Sequence, residues 1–228
     1  MKQYVLATPH KRNEAMRQRL NARFPGQFTF IRRYEDLKLR LLSKIDPRYI
    51  FFPHWSQIIP EEIHSRFECV IFHMTDVPFG RGGSPLQNLV ARGLEETTMT
   101  ALRCVSQLDA GPVYLKKPLS LLGSAEEILL RASGLIAGMI EEIVAVQPSP
   151  VEQSGEVTTF ARRTPAQSDA SELTSLGTLF DHIRMLDAEG YPPAFLRIGS
   201  FKLMFSRASL RPGEIIADVR IVEADGDE

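Results

Sequence analysis

Several features are scarce in this sequence, and each scarcity excludes a class of protein. The 228 residues include two cysteines, Cys69 and Cys104, too few for a disulfide framework or a Cys-rich zinc site. No run of about 18 apolar residues is present, so we expect no membrane span. The first residues lack a signal-peptide pattern, which predicts a cytoplasmic protein. Charge is balanced, with 27 Lys+Arg against 28 Asp+Glu, which argues against a general nucleic-acid or membrane-surface binder.

Two alternating periodicities organise the first 75 residues. Short apolar runs predict strands, and segments with apolar residues at helical spacing predict helices between them. The predicted strands are 3–8, 27–31, 49–52 and 69–72, and the predicted helices are 11–24 and 34–43. This alternation favours right-handed βαβ units, and therefore an α/β fold whose mainly parallel sheet carries helices on its faces.

The composition changes after residue 146. Residues 124–146 carry apolar side chains at helical spacing and begin with Ser124 and Glu127 as a capping box, which predicts a long helix. A Pro/Ser-rich connector follows. Residues 151–228 hold 8 Lys+Arg and 13 Asp+Glu, a net charge of −5. We therefore predict a main domain over residues 1–147 and a small mixed subdomain over residues 148–228.

Three loops hold the residues most typical of a functional site. Ligands of open α/β sheets bind beyond the carboxyl ends of the strands, and we expect loops 53–60, 73–85 and 107–111 to leave strands at that edge. His73 directly follows a predicted strand, and Asp109 lies in an Asp-Ala-Gly turn. Each is by itself more typical of a structural residue. The other four histidines show no mutual metal-ligand spacing, so we expect a candidate His–Asp site without a metal.

Two segments resemble the formyltransferases that use 10-formyltetrahydrofolate. They are HMTDVPFGRGGSPLQ, which begins at His73, and TTMTALRCVSQLDAGPVY, which contains Asp109. The family pattern has Asn-x-His, an Arg-Gly step followed by Pro, and an Asp-Thr/Ala-Gly-Pro turn some 35 residues on. His73, Arg81-Gly82, Pro85 and Asp109–Pro112 match this pattern in order and spacing.

The resemblance covers roughly residues 45–145 and reaches into the tail. There RRTPAQSD and HIRMLDAEGYPPAF resemble the C-terminal part of sugar formyltransferases. It implies that residues 1–147 form a Rossmann-like catalytic core with a mainly parallel sheet. It also implies that the subdomain 148–228 can serve as a dimerisation element.

The resemblance further implies catalytic residues. His73 would take a proton from the attacking amine, and Asp109 would orient the imidazole and favour its protonated form. The family's Asn, which donates a hydrogen bond to the formyl oxygen, falls on Ile71, and losing such a donor typically costs about 10²–10³ in rate. Thr75, a backbone N–H of the Gly-rich loop or a water could replace it. Asp76, where the family usually has Leu, would contact the acceptor amine or cap the loop.

The formyl donor implied by the resemblance is 10-formyltetrahydrofolate, bound beside loops 53–60 and 107–111. The positions that match the family's folate-binding residues are Trp55, Gln57, Ile59, Gln107, Leu108 and Asp109. Trp55 is equally consistent with a core or rim residue. The resemblance implies no metal.

The composition of residues 148–228 indicates the acceptor. Because the tail is short and acidic, whereas phosphate contacts need a basic surface, tRNA is disfavoured. We predict formyl transfer to the amine of an amino sugar, a sugar nucleotide or a nonulosonic-acid precursor, by a homodimer with no nucleic-acid or membrane partner. Two alternatives remain open: a catalytically weak or inactive folate- or sugar-binding homologue, because of Ile71, and formylation of a different small amine.

Overall fold

The structure, a computed structural model, describes residues 2–224. Its strands are β1 (Tyr4–Ala7), β2 (Phe28–Ile31), β3 (Tyr49–Phe52), β4 (Cys69–His73), β5 (Arg81–Gly82), β6 (Glu96–Arg103), β7 (Val113–Ser120), β8 (Thr159–Phe160), β9 (Phe195–Ile198), β10 (Phe201–Arg211) and β11 (Glu214–Glu223). Its α-helices are α1 (Glu14–Arg23), α2 (Leu39–Ile45), α3 (Glu61–His64), α4 (Pro85–Val90), α5 (Ala125–Val146) and α6 (Leu176–Arg184). No helix in this part of the chain is long and apolar enough to cross a membrane.

A six-stranded sheet in the order β2-β1-β3-β4-β6-β7 confirms the predicted α/β fold class with a mainly parallel sheet. Strands β2, β1, β3 and β4 run parallel to one another. Strand β6 runs antiparallel to β4, with His73 opposite Thr100 and Val70 opposite Arg103. The carboxyl ends of β1 to β4 therefore share one edge, and β6 ends at the other.

The buried strands follow from their composition. Every residue of β1 and β3 is buried, as expected for central strands of a sheet that is covered on both faces. One face carries a core cluster that includes Val5, Ile50, Phe52 and Cys69, and Ile71 packs against it while partly buried. Because side chains alternate along a strand, His73 shares this face with Ile71.

The chain divides into two compact units. The first comprises residues 1–82, 97–119 and 130–159, and the second comprises 83–96, 120–129 and 160–228. The predicted domains 1–147 and 148–228 stay a prediction.

The second unit contains α4, α6 and an antiparallel sheet in the order β11-β10-β9. Within it, the buried Arg184 donates to the carbonyls of Leu121 (2.6 Å) and Gly123 (3.0 Å) and pairs with Asp181 at 2.7 Å. The predicted capping box is confirmed: the Ser124 N–H donates to Glu127 (2.7 Å), and the Glu127 N–H donates to the Ser124 hydroxyl (3.3 Å).

Candidate active site

His73 is the last residue of β4, and its imidazole is held from both sides. Nε2 donates a hydrogen bond to the Gly80 carbonyl at 2.8 Å, and Nδ1 lies 3.5 Å from Oδ2 of Asp109. Both side chains are buried, with exposed fractions of 8% each. With its proton on Nε2, the neutral ring has Nδ1 free to accept a second proton, directly beside a carboxylate. The sequence-predicted pair is thus brought together.

Asp109 is placed by a tight turn between β6 and β7. Its backbone has φ +52°, a left-handed conformation that Asp and Asn adopt more readily than most residues. Its Oδ2 accepts a hydrogen bond from the Gly82 N–H at 2.9 Å. Gly111 is required two residues later, since a Cβ there would lie 1.8 Å from the Arg103 carbonyl oxygen.

The path of the 107–111 loop differs from the prediction. We expected it to leave a strand at the carboxyl edge of the parallel sheet, which is wrong because β6 is antiparallel and ends beside Val70. The chain stays against β4 just after this point, where the Cys104 N–H donates to the Cys69 carbonyl (2.8 Å). The loop must therefore double back toward the end of β4 to bring Asp109 to His73.

The Gly-rich loop after β4 is fixed by buried hydrogen bonds. The fully buried Thr75 directs its hydroxyl to the Gly80 carbonyl at 3.4 Å, and its own carbonyl accepts from Thr100 at 2.7 Å. Thr75 therefore shares an acceptor with His73 in this conformation. Asp76 is exposed and pairs with Lys116 at 2.5 Å, and the same ammonium donates to the Val77 carbonyl at 2.8 Å.

A segment that overlaps the predicted Pro/Ser-rich connector, residues 147–155, reaches this site. Residues 151–159, here called the strap, place Gln153 against Arg81 and the Asp109 turn, and Thr158 against Gly80. Sequence reasoning missed both side chains because neither belongs to a catalytic residue type. Their contacts are with the Arg81 side chain and with main-chain groups, all 42 to 78 positions away.

The predicted folate-binding residues fall in two loops with different surroundings. The Trp55 ring packs against Tyr34 and Phe52, at centroid distances of 4.5 and 5.3 Å, and its indole N–H is buried with no hydrogen-bond partner among residues 2–224. Ile59 is a core residue with 6% exposure. The remaining predicted positions, Gln57, Gln107 and Leu108, are exposed.

A buried polar chain supports the loop after β3. His54 Nε2 donates to the Ser133 hydroxyl (3.1 Å), which donates to Asn13 Oδ1 (2.7 Å), and Asn13 donates to the Thr8 hydroxyl (2.6 Å). Burial, helped by the neighbouring His10 and Arg12, lowers the pKa of His54 to about 3, so this imidazole stays neutral at physiological pH. The described residues contain no cluster of three or more His, Cys, Asp or Glu that could hold a metal.

Positive charge is concentrated at the start of the chain. Residues 1–50 hold 12 Lys+Arg and 4 Asp+Glu, a net charge of +8. Within this region, the segments just after β1 and β2 carry the exposed residues Lys11, Arg32 and Arg33. Because β1 and β2 are parallel to β4, these cations lie on the edge where His73 ends its strand. Neighbouring strands are about 4.8 Å apart, so β2 lies about 14 Å from β4.

Comparisons with known proteins agree with this geometry. Residues 165–222 match the family model of the methionyl-tRNA formyltransferase C-terminal domain. The solved structure of a methionyl-tRNA formyltransferase from Clostridium thermocellum is 46% identical, with a TM-score of 0.95, and the match covers 98% of this chain and 100% of that one. Methionyl-tRNA formyltransferase of Bacillus subtilis is 25% identical over 98% of this chain and 74% of its own length.

A sugar N-formyltransferase from Shewanella shares the fold alone. It covers 100% of both chains with a TM-score of 0.68, but only 13% of the residues are identical. The prediction of an amino-sugar acceptor is therefore wrong, and so is the prediction of no nucleic-acid partner, because the far more similar relatives are tRNA formyltransferases. The acceptor prediction failed because it used the net charge of residues 151–228, whereas the excess of cations lies in residues 1–50.

The matched pattern around His73 and Asp109 and the 46% identity over almost the whole chain lead to one assignment. The predicted enzyme class and formyl donor are confirmed with it. This chain belongs to the formyltransferase family that uses 10-formyltetrahydrofolate.

Proposed function

We propose that this protein transfers the formyl group of 10-formyltetrahydrofolate to the α-amine of methionyl-tRNA. The observation that carries the proposal is the buried His73–Asp109 pair in a chain so similar to a methionyl-tRNA formyltransferase. In the reaction, a bond forms between the amine nitrogen and the formyl carbon, and the bond from that carbon to the folate nitrogen breaks. The amine loses one proton, and the departing folate nitrogen gains one. Charged tRNA is found in the cytoplasm, which is the location that we propose.

His73 has the chemistry to accept the amine proton. An imidazole exchanges protons near neutral pH, which suits a general base. Nε2 is engaged with Gly80, so Nδ1 receives the proton, and the Asp109 carboxylate stabilises the resulting cation. The distance of 3.5 Å is longer than a strong hydrogen bond, as is common for catalytic contacts before substrate binds.

The loops after β3 and β6 offer groups suited to a flat, polar ring. The buried Trp55 N–H has no partner among residues 2–224, and Leu108, with 54% exposure, presents apolar surface. We propose that the main chain of residues 55–59, together with Gln107, Leu108 and Asp109, holds the folate. The bound folate supplies the formyl carbon, and the protein supplies orientation and proton transfer.

The exposed cations at the β1 and β2 edge fit the acceptor stem of a tRNA. Arg32 and Arg33 are held by exposed carboxylates, Arg32 to Glu14 at 3.7 Å and Arg33 to Asp36 at 2.9 Å. Exposed ion pairs of this kind are worth about 0–1 kcal/mol, so phosphates can displace the carboxylates. A stem bound at this edge would lie about 14 Å from the strand that ends in His73.

A formylation assay tests the proposal. Purified protein, 10-formyltetrahydrofolate and methionyl-tRNA should give formyl-methionyl-tRNA, with no tetrahydrofolate released when uncharged tRNA is supplied. Lys11→Glu combined with Arg33→Glu should raise the KM for tRNA at least tenfold and leave donor binding unchanged, since each lost phosphate contact weakens binding.

Arg66→Glu provides the matched control. Arg66 is exposed and precedes β4, so it lies at the opposite edge of the sheet, and its variant should keep the wild-type KM. Absence of formyl transfer to methionyl-tRNA by the wild-type protein would refute the proposed acceptor.

A further inference from the structure

The two groups that flank the His73 ring, the Gly80 carbonyl and the Asp109 carboxylate, belong to loops that are held by the strap, residues 151–159. The strap is anchored at its start by a pair of main-chain hydrogen bonds between Val151 and Val113, at 2.7 and 2.9 Å. It then passes the Asp109 turn and the Gly80 loop in succession. The contacts of two of its side chains account for how these loops are positioned.

Gln153 uses its whole amide to join the Asp109 turn to the Gly-rich loop. Its Nε2 donates to the carbonyls of Asp109 (2.8 Å) and Gly111 (2.7 Å). Its Oε1 accepts from Nε (3.1 Å) and Nη2 (2.7 Å) of Arg81. These two donated bonds fix the carbonyls on both sides of Ala110, and thus the turn in which Asp109 has its left-handed backbone.

Thr158 holds Gly80, whose carbonyl lies on the Nε2 side of the His73 ring. Its hydroxyl accepts from the Gly80 N–H at 2.7 Å. Its main chain bonds on either side of that residue: the Thr158 N–H donates to the Pro78 carbonyl (3.2 Å), two positions before Gly80, and the N–H of the next residue, Arg81, donates to the Thr158 carbonyl (3.0 Å). The Gly80 carbonyl is the acceptor of His73 Nε2. Fixing both sides of Gly80 therefore fixes the direction in which its carbonyl points.

We propose that Gln153 and Thr158 are positioning residues for formyl transfer, which set the places of Asp109 and Gly80 around the imidazole of His73. The proposal rests on the proposed function and adds two residues to it. Neither side chain contacts the imidazole, and each acts through the group it holds. Gly80 has φ +69°, and because glycine populates positive and negative φ about equally, contacts such as those of Thr158 are needed to select one orientation of its peptide.

Paired substitutions separate the hydrogen bonds from the packing. Thr158→Val removes the hydroxyl at almost constant volume, and Thr158→Ser keeps it. Because a misplacement of about 1 Å can cost about 10²-fold, we expect Thr158→Val to lower kcat by about 10–100-fold and Thr158→Ser to lower it by less than about threefold. The KM values for folate and tRNA should stay within about threefold.

Gln153 offers a second pair. Gln153→Met removes all four hydrogen bonds and should lower kcat by about 10–100-fold. Gln153→Glu keeps an acceptor for Arg81 but cannot donate to the Asp109 and Gly111 carbonyls, so it should be as impaired as Gln153→Met. The exposed neighbour Ser154 supplies the control, since Ser154→Ala should match the wild type in kcat and melting temperature.

Two measurements distinguish positioning from a merely structural role. In a His73→Asn background, adding Thr158→Val should cost less than about twofold, because residues that act as a unit are not additive. Without any substrate, ¹⁵N NMR of the wild-type imidazole should show a slowly exchanging proton on Nε2, and Thr158→Val should speed its exchange.

The outcomes are distinct from those for the proposed function. An inactive wild type refutes the methionyl-tRNA acceptor, and the NMR comparison still decides the role of Thr158. An active wild type with unchanged kcat in Thr158→Val and Gln153→Met would overturn the positioning proposal. So would equal losses in the presence and absence of the His73 imidazole.

Discussion

Replacing Asp109 by Asn tests how much its charge contributes to proton transfer. Asn tolerates the left-handed backbone at this position, and its side-chain oxygen can still accept from the Gly82 N–H, so the turn should survive. At the observed separation of 3.5 Å, the attraction between a carboxylate and an imidazolium is about 5 kcal/mol at an effective dielectric constant of about 20.

That attraction is an upper bound on the catalytic effect, because the Asn dipole and rearranged water recover part of it. With about 1.4 kcal/mol per factor of ten, we expect Asp109→Asn to lose about 10²–10³ in kcat. The assay is single-turnover formylation of methionyl-tRNA at saturating donor, with melting temperature as the control for folding. A folded variant whose rate is within threefold of the wild type would refute the proposed role of this carboxylate.

Three further predictions concern β4 and the residues beside it. Ile71→Asn places an amide donor for the formyl oxygen on the sheet face that carries His73, and it should raise kcat about tenfold in the same assay. An unchanged rate would show that another donor of the protein already serves the formyl oxygen. Burial raises the pKa of Glu68, but hydrogen bonds from Tyr114 (2.5 Å) and Arg48 outweigh it, so the pKa in the folded protein lies below the ordinary 4.5. The ionised Glu68 therefore stabilises the folded protein above pH 4.5, and this stabilisation is lost as the pH falls through the folded pKa. Glu68→Gln should weaken the fall in the free energy of unfolding at acid pH, as measured by urea unfolding. Burial, with a contribution from the Asp109 carboxylate, raises the pKa of Cys104 to about 11, and burial also raises the pKa of Cys69. Neither thiol should therefore react with Ellman's reagent at pH 8 before the protein is unfolded. Rapid reaction of the native protein would contradict this prediction.

The elements that the sequence predicted well are those whose pattern is local. The apolar run YIFF predicts β3 at its observed bounds, and the spacing of Ser124 and Glu127 predicts the start of α5. The direction of β6 could not be predicted, because alternation along a strand is the same whichever way the strand runs. The loop carrying Asp109 was therefore assigned to the wrong edge.

The site was predictable only in part. His73 and Asp109 were each ambiguous by residue type, and the family resemblance, rather than composition, joined them. Gln153 and Thr158 gave no signal, since a side chain that bonds to distant main-chain groups leaves no periodic or motif pattern. The acceptor prediction was wrong because it relied on the net charge of the tail alone. The attraction of a charged substrate depends on where the cations lie on the whole protein.

The central claim is that the imidazole of His73 takes a proton from the attacking amine. Single-turnover transfer to methionyl-tRNA by wild type and by His73→Asn, with folate affinity measured in parallel, tests it most directly. We predict that His73→Asn binds the donor within about tenfold of wild type and transfers formyl at least about 10³-fold more slowly. Transfer by His73→Asn at a rate close to that of the wild type would contradict the account.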